Sequence, residues 1–438
     1  MIWIKPLNLK KRPDWNKFCE MKKEKIVNTP SQPFHIMAKP GGSRCNLDCE
    51  YCYFLSKERM YPGSKFCMDE RLLEIYIKQY IESQHYPEIT FSWQGGEPTL
   101  MGLDFFKQAI HFQQKYARPG TRILNTLQTN GTLLNEEWCR LFKKYGFLIG
   151  LSIDGPEELH DVYRVNRAGK GSFAQVMKGW QLLEDAGVQY NILCSVHAAN
   201  QDKPLDVYRF FRDQLNARYI QFIPIVERAT SELLPIANSG WKGSDNKKRI
   251  LYTQSGNSVT ERSLSASEYG SFLITVFDDW VRHDVGKTYV QIFDVALGAW
   301  FGQPGGLCIF SPTCGNAMAL EHNGDLFSCD HFVEPDYLLG NIHKKDMAEL
   351  ALSEKQREFG EAKSKALPEY CLKCNVKFAC YGGCPKNRFI NTPDGEPGLN
   401  YLCAAYKSFF NHIDRPMKTM TRLLRQRRPP AEVMEYMA

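Results

Sequence analysis

The chain of 438 residues has no run approaching the ~18 uninterrupted apolar residues that a membrane-spanning helix needs. It also lacks a secretory leader pattern. Residues 1–28 carry eight Lys/Arg against three Asp/Glu, but neither an apolar stretch nor a small-residue cleavage site follows. A cytoplasmic location is therefore expected. There is no internal repeat or low-complexity tract, so a repeat array is not the architecture. Cysteine is sparse overall, fifteen residues against the ~8 % of a disulfide scaffold. Two basic stretches, around Lys10–Lys25 and Arg415–Arg428, supply much of the net charge of +6. No aromatic interleaving or RNA-binding motif accompanies them. They read as solvated faces and tails, and nucleic acid is not an expected partner.

What is present is ordinary globular composition, 43 % apolar and 24 % charged. The length allows roughly three domains of about 150 residues, or a barrel of about 200–250 residues with a smaller unit. Six short β-rich runs lie at 34–40, 88–96, 123–131, 147–155, 190–198 and 219–227, with amphipathic helices between them. Over 70–83, Leu72, Leu73, Tyr76, Tyr80 and Ile81 fall near one face and Asp69 can cap the start; Asp104 and Asn135 are candidate caps for the next two helices. Strands alternating with helices imply right-handed crossovers and a parallel sheet, hence an α/β fold with an open or closed barrel over about 34–285. The loops QGGEP, QTNG and SIDGP follow strands and should ring one site, because ligands bind at the carboxyl ends of parallel strands. Residues 229–265 are polar without a clear period, which suggests a surface excursion, and a helix is expected near 267–283. A composition shift near 290–305 marks a boundary.

The cysteines are bunched, which in a chain of this kind points to metal or redox chemistry. Cys45, Cys49 and Cys52 form CxxxCxxC, and eight more lie between Cys308 and Cys403. Four thiolates saturate a [4Fe-4S] cube; three leave one iron open for a substrate. From spacing alone, buried thiols, a partial zinc site with a distant fourth ligand and, for the second group, a zinc ribbon remain alternatives. Cys19, Cys67, Cys139 and Cys194 fit no cluster pattern and read as small apolar filler or surface thiols.

The CxxxCxxC loop after the first strand, followed by QGGEP after the next, resembles the radical S-adenosylmethionine (SAM) superfamily. The later pattern, Cys314-x9-Gly324-x4-Cys329, Cys371-x2-Cys374-x5-Cys380-x3-Cys384 and Cys403, resembles the SPASM extension, with Cys308 as an eighth thiol. Within that group, HIMAKPGGSRCNLDCEYCYFL, FSWQGGEPTL, QTNGTLL, GLSIDGPEELHDVYR, FIPIVE, HNGDLFSCDHF and CYGGCPKNRF are similar, in order, to motifs of the anaerobic sulfatase-maturating enzymes.

The resemblance implies a partial (β/α)6 TIM-like radical SAM barrel over 34–290 and a SPASM iron-sulfur domain over 300–410. A basic extension (1–33) and a basic tail (411–438) would flank them. It implies SAM and three [4Fe-4S] clusters: one on Cys45, Cys49 and Cys52, one on Cys308, Cys314, Cys329 and Cys384, and one on Cys371, Cys374, Cys380 and Cys403. Tyr51, Gly95, Gly96, Ser152, Arg164 and Val226 match SAM-contacting positions, Gln94 a peptide-contacting one, and Asp330 the base. The implied reaction oxidises a Cys or Ser in a sulfatase C/S-x-P/A-x-R motif to Cα-formylglycine by hydrogen abstraction at Cβ. The implied partners are a sulfatase polypeptide and an electron donor such as flavodoxin or ferredoxin, with no membrane. The family commonly has Phe-Tyr after the third cysteine, whereas this chain has Tyr53-Phe54. Another SPASM peptide modification, such as a thioether crosslink, and an iron-sulfur electron carrier or zinc-bound interaction module are the competing readings.

Overall fold

The computed structural model describes residues 34–242, 249–303 and 306–437. The basic extension of 1–33, with Cys19, lies outside the described residues. All six expected strands form: β1 (His35–Lys39), β2 (Glu88–Trp93), β3 (Arg122–Thr129), β4 (Leu148–Ser152), β5 (Gln189–Val196) and β6 (Tyr219–Pro224). Each runs parallel to the next. Alternate residues point to opposite faces of a strand. Ile36, Phe91, Trp93, Leu127, Ile149, Ile192 and Ile220 accordingly enter the core shared with the helices. The other face is polar: Thr126 Oγ1 donates to Ser92 Oγ (3.1 Å), and Gln128 Nε2 donates to Ser152 Oγ (2.9 Å).

Helix α1 (Glu70–Ser83) starts where Asp69 Oδ1 accepts from the Leu72 amide (2.8 Å), and it buries Leu72, Leu73, Tyr76 and Tyr80. Tyr76 meets Trp93 edge-on at 5.8 Å. Truncating such a buried ring costs about 3–5 kcal/mol. Asn135 caps α3 (Glu136–Tyr145) as expected, through the Glu137 and Trp138 amides. Asp104 does not cap α2 (Gly102–Tyr116). It sits inside the first turn and pairs with Lys107, because the chain enters α2 through a 3-10 turn, Pro98–Met101, that is capped upstream by Glu97. Helices α4 (Phe173–Asp185), α5 (Pro204–Arg209) and α6 (Ala266–His283) complete the layer.

The sheet continues past the six strands. On one side β7 (Tyr289–Val290) adds to β6 and leads into α7 (Gln291–Trp300). On the other, β8 (Ala317–Glu321) runs parallel to β1 with His35 opposite Ala317 and Lys39 opposite Glu321, and β9 (Asp325–Phe327) and β10 (Leu338–Asn341) follow antiparallel. The composition boundary near 290–305 therefore does not interrupt the sheet, and the loop after β9, with Cys329 and Asp330, lies where Asp330 pairs with the side chain of Lys39, the last residue of β1. The cysteine-rich region also contains α8 (Glu354–Lys365), a hairpin of β11 (Arg388–Asn391) and β12 (Pro397–Asn400), and α9 (Cys403–His412).

Two sequence expectations need correction. Residues 229–265 are not only a surface excursion: Ala229, Ala237, Trp241 and Tyr252 form a small buried core, and the Tyr252 amide and carbonyl bond Ser56 Oγ (3.0 Å) and Lys57 Nζ (2.7 Å) in the loop after β1. The polar residues there serve backbone contacts that periodicity does not reveal. Nor is 411–438 only a tail. Helix α10 (Asp414–Arg425) buries Met417, Met420 and Leu423 in the main core, an apolar stripe hidden among charges in the linear sequence.

Candidate functional site

The loop after β1 brings Cys45, Cys49 and Cys52 together at the mouth of the sheet. A loop leaves carbonyls without ladder partners, and two arginines far along the chain take them up. Arg249 donates to the carbonyls of Cys49 (2.9 Å), Cys52 (3.1 Å) and Asp48 (3.3 Å) and to the Asp48 carboxylate (2.8 Å); Arg167 Nη2 donates to the Cys45 carbonyl (2.8 Å). Neither arginine carries a motif signal. Burial pushes the Cys49 thiol up to about 12 against the pull of Arg164, and burial raises Cys45 as well.

QGGEP locks onto this loop. The Gly96 amide donates to the Gly42 carbonyl (2.8 Å) and the Glu97 amide to the Arg44 carbonyl (2.7 Å). A Cβ on Gly96 would lie 1.9 Å from the Arg44 oxygen, and Gly95 holds φ +127°. Glycine is thus required here for loop-against-loop packing, a constraint separate from any contact of Gly95 and Gly96 with SAM. The buried Glu97 carboxylate accepts from Thr99, Thr129 Oγ1 (2.8 Å) and the Asn130 amide (2.8 Å), tying the QGGEP and QTNG loops together. Gln94 follows β2, its amide bonded to the Ala38 carbonyl (2.8 Å), and its side-chain Oε1 is buried without a protein partner.

Ser152 ends β4, and Tyr51 and Arg164 gather at this end of the sheet through Asp154, two residues later. Asp154, in SIDGP, is fully buried and accepts from Tyr51 Oη (2.5 Å), Arg164 Nε (2.8 Å) and the Ser195 amide (2.9 Å). Burial alone would raise its carboxyl; Arg164 and His197 overcome that and hold it far below the usual range. The hub fixes Arg164 and Tyr51 in place, with the guanidinium 5.6 Å from the Tyr51 ring centre. Val226 is buried in the main core just after β6.

Cys308, Cys314, Cys329 and Cys384 line one cavity together with Asp330, His331 and Lys386, while Cys371, Cys374, Cys380 and Cys403 line another. These are the two groups that the resemblance implies. All fourteen described cysteines are free thiols; Cys139 and Cys194 are buried filler and Cys67 is exposed. Lys363 Nζ donates to the carbonyls of Cys308 (2.5 Å), Ile309 (2.9 Å) and Ser311 (2.5 Å), and Arg388 grips those of Tyr381 (2.9 Å) and Gly382 (3.0 Å).

Asp330 stands between the barrel and this first group of four. Its carboxylate pairs with Lys39, from the end of β1, and accepts from Tyr53 Oη (3.0 Å). Lys39 also lies 4.0 Å from the Phe54 ring centre. Burial would raise the Asp330 carboxyl, but Lys39, then His331, outweigh it and hold it well below the usual range. His331 is also pushed down, to about 3, chiefly by burial. His322 bonds Ser64 Oγ (2.6 Å) and the Glu321 carboxylate (3.1 Å). The reversed Tyr53-Phe54 pair thus serves the Asp330 corner directly.

Comparison with known proteins agrees with this arrangement. The radical SAM superfamily pattern matches residues 40–211, and the SPASM iron-sulfur cluster-binding domain matches 308–375. The chain is 45 % identical over 408 residues, 92 % of its length and 95 % of the relative's, to the serine-type anaerobic sulfatase-maturating enzyme of Bacteroides thetaiotaomicron. It is 33 % identical, over 86 % and 94 %, to the cysteine-type enzyme of Clostridium novyi. Native anSMEcpe with bound AdoMet superposes with a TM-score of 0.76 at 30 % identity, covering 89 % of this chain and 100 % of that one. Streptococcus suis SuiB bound to precursor peptide SuiA, at 14 % identity and a TM-score of 0.57, shares the fold. Three thiols on the loop after β1, eight more in two groups of four and a match along nearly the whole length lead to one conclusion: the chain belongs to the anaerobic sulfatase-maturating enzyme family of radical SAM proteins.

Proposed function

We propose that this protein oxidises a Cys or Ser in a sulfatase C/S-x-P/A-x-R segment to Cα-formylglycine, with Asp330 taking the side-chain proton. Cys45, Cys49 and Cys52 would hold the [4Fe-4S] cluster that receives SAM. The two groups of four would hold one cluster each. The residues fit these occupants. The thiols are unbridged and gathered three, four and four, and burial raises the thiols of Cys45 and Cys49, whose protons a metal centre would displace. The orphaned Gln94 Oε1 marks a polar contact that the protein leaves open beside that loop. When bound, cluster and SAM supply a 5′-deoxyadenosyl radical that can remove hydrogen from a peptide Cβ.

The protein's own residues prepare the rest. Asp154 orients Tyr51 and Arg164 where SAM is expected, with Gly95, Gly96, Ser152 and Val226 around it. Asp330 carries the reading: a buried carboxylate kept charged by Lys39 and aimed by Tyr53, on the residue after Cys329. A general base must be ionised and held in position, which the Lys39 pair and the Tyr53 hydrogen bond support. The partners proposed are the sulfatase polypeptide and a one-electron carrier such as flavodoxin or ferredoxin. No described helix is long and apolar enough to cross a membrane. Anaerobic incubation with SAM, a reductant and sulfatase-motif peptides bearing Ser or Cys should yield formylglycine by mass spectrometry. Abundant 5′-deoxyadenosine with both peptides unmodified would point to another peptide substrate.

A further inference from the structure

The two groups of four thiols meet different surroundings. The first faces the cavity of Asp330 and Lys386. The second lies at the surface, where its neighbours Leu372, Lys373, Asn375 and Phe378 are exposed. Beside it runs a groove of about 670 Å³ whose lining includes Trp300, Phe378, Lys418, Arg422 and Arg425, and Val376 separates the groove from the thiols by lining both. Lys377 and Lys407 border the thiols themselves. With Lys373 this makes six cations, against the carboxylates of Glu369, Glu396 and Asp414. Of these, Asp414 is tied to Lys418 and Trp300, Glu369 to Lys373, and Glu396 to the Glu369 amide. Arg422 and Arg425 project from the exposed side of α10, the same helix whose buried side is Met417, Met420 and Leu423.

We propose that this groove is the docking surface for an acidic, flavin- or iron-sulfur-bearing electron-carrier protein. An exposed aromatic inside a cationic rim, next to a redox group, fits an acidic carrier by charge complementarity, which sets approach and orientation. The basic residues of 1–28 are the wrong sign to fill it. The inference rests on the formylglycine reading and deepens it. Converting a Cβ–OH or Cβ–SH to C=O or C=S removes two hydrogen nuclei and two electrons. One nucleus and one electron leave together as the hydrogen atom taken by the adenosyl radical, the second nucleus leaves as the proton accepted by Asp330, and the second electron reduces the oxidised carrier.

The test uses the anaerobically reconstituted full chain and oxidised flavodoxin as the acidic probe, with binding followed by calorimetry. Binding is expected at low salt, weakened at least about tenfold by Arg422→Glu/Arg425→Glu and weakened also by raised salt. The milder Arg422→Gln/Arg425→Gln should fall between. A basic carrier such as cytochrome c should not bind. Iron content and melting temperature guard against misfolding, and the salt dependence of the wild type needs no variant. No binding by the wild type, binding unaffected by salt, or a variant within twofold of wild type would overturn the proposal. Peptide conversion driven by dithionite tests the underlying reading separately, since no carrier takes part.

Discussion

The three-thiol loop and the first four-thiol group are built alike and differ in one respect. In each, cations from distant sequence grip the carbonyls of a thiol-bearing loop: Arg249 and Arg167 for the first, Lys363 and Arg388 for the second. Beside the second stands a carboxylate, Asp330, that pairs with Lys39, accepts from Tyr53 and lines a cavity. At the first, the nearby carboxylate Asp154 is spent on Tyr51, Arg164 and the Ser195 amide. On the proposed function, one region would hold the radical-generating centre without a free base and the other would take the proton. Radical formation and proton removal should therefore be separable by mutation.

The largest expected effect breaks the first region alone. Replacing Cys45, Cys49 and Cys52 by Ala should abolish SAM cleavage while leaving about two thirds of the iron, because eight thiols in the other two groups remain. Iron near zero would mean that the groups do not load independently.

Next comes Lys39→Met, which attacks the contrast at its charge. In the wild type the Asp330 carboxyl sits below its usual value, so the proton-accepting form is complete across pH 5–8. The pair's stabilising contribution is present above the unfolded carboxyl value near 4 and is lost as pH falls through the folded one. Without Lys39 the burial effect loses its largest opponent and raises the carboxyl. The variant's conversion rate at pH 6 should drop at least about tenfold relative to its own rate at pH 8, one pKa unit's worth. Removing one partner of a buried pair also costs about 3–5 kcal/mol at neutral pH, visible in denaturant unfolding. A pH profile matching wild type would show that Lys39 does not govern Asp330. The smallest effect is Tyr53→Phe. Losing one hydrogen bond of about 1 kcal/mol should slow conversion by roughly fivefold with SAM cleavage intact. A larger loss confined to SAM cleavage would move Tyr53 to the first region.

Much of this layout is legible in the sequence, for local reasons. Alternation marks β1 to β6 because one face of each strand packs under helices, and CxxxCxxC gathers three thiols within eight residues. What escapes reading is what depends on long-range pairing. The parallel register of β8 on β1 sets Lys39 opposite Glu321 and brings Asp330 within reach of Lys39, yet no spacing rule connects residues nearly 300 positions apart. Arg249 lies in a stretch whose polarity reads as solvent-facing until its fork is seen on the cysteine loop's carbonyls. Asp154 is inside a motif already noticed, but a loop aspartate announces burial only once Arg164 and Tyr51 are folded against it.

The central claim, that the radical and the proton are handled by different regions, is tested most directly by Asp330→Asn with 5′-deoxyadenosine and formylglycine quantified in the same anaerobic reaction. The amide keeps the shape and removes the acceptor charge. The account predicts full iron, continued 5′-deoxyadenosine formation and formylglycine at least ~100-fold slower than wild type. Formylglycine within a few-fold of wild type at equal iron content would contradict it and assign the proton to another group.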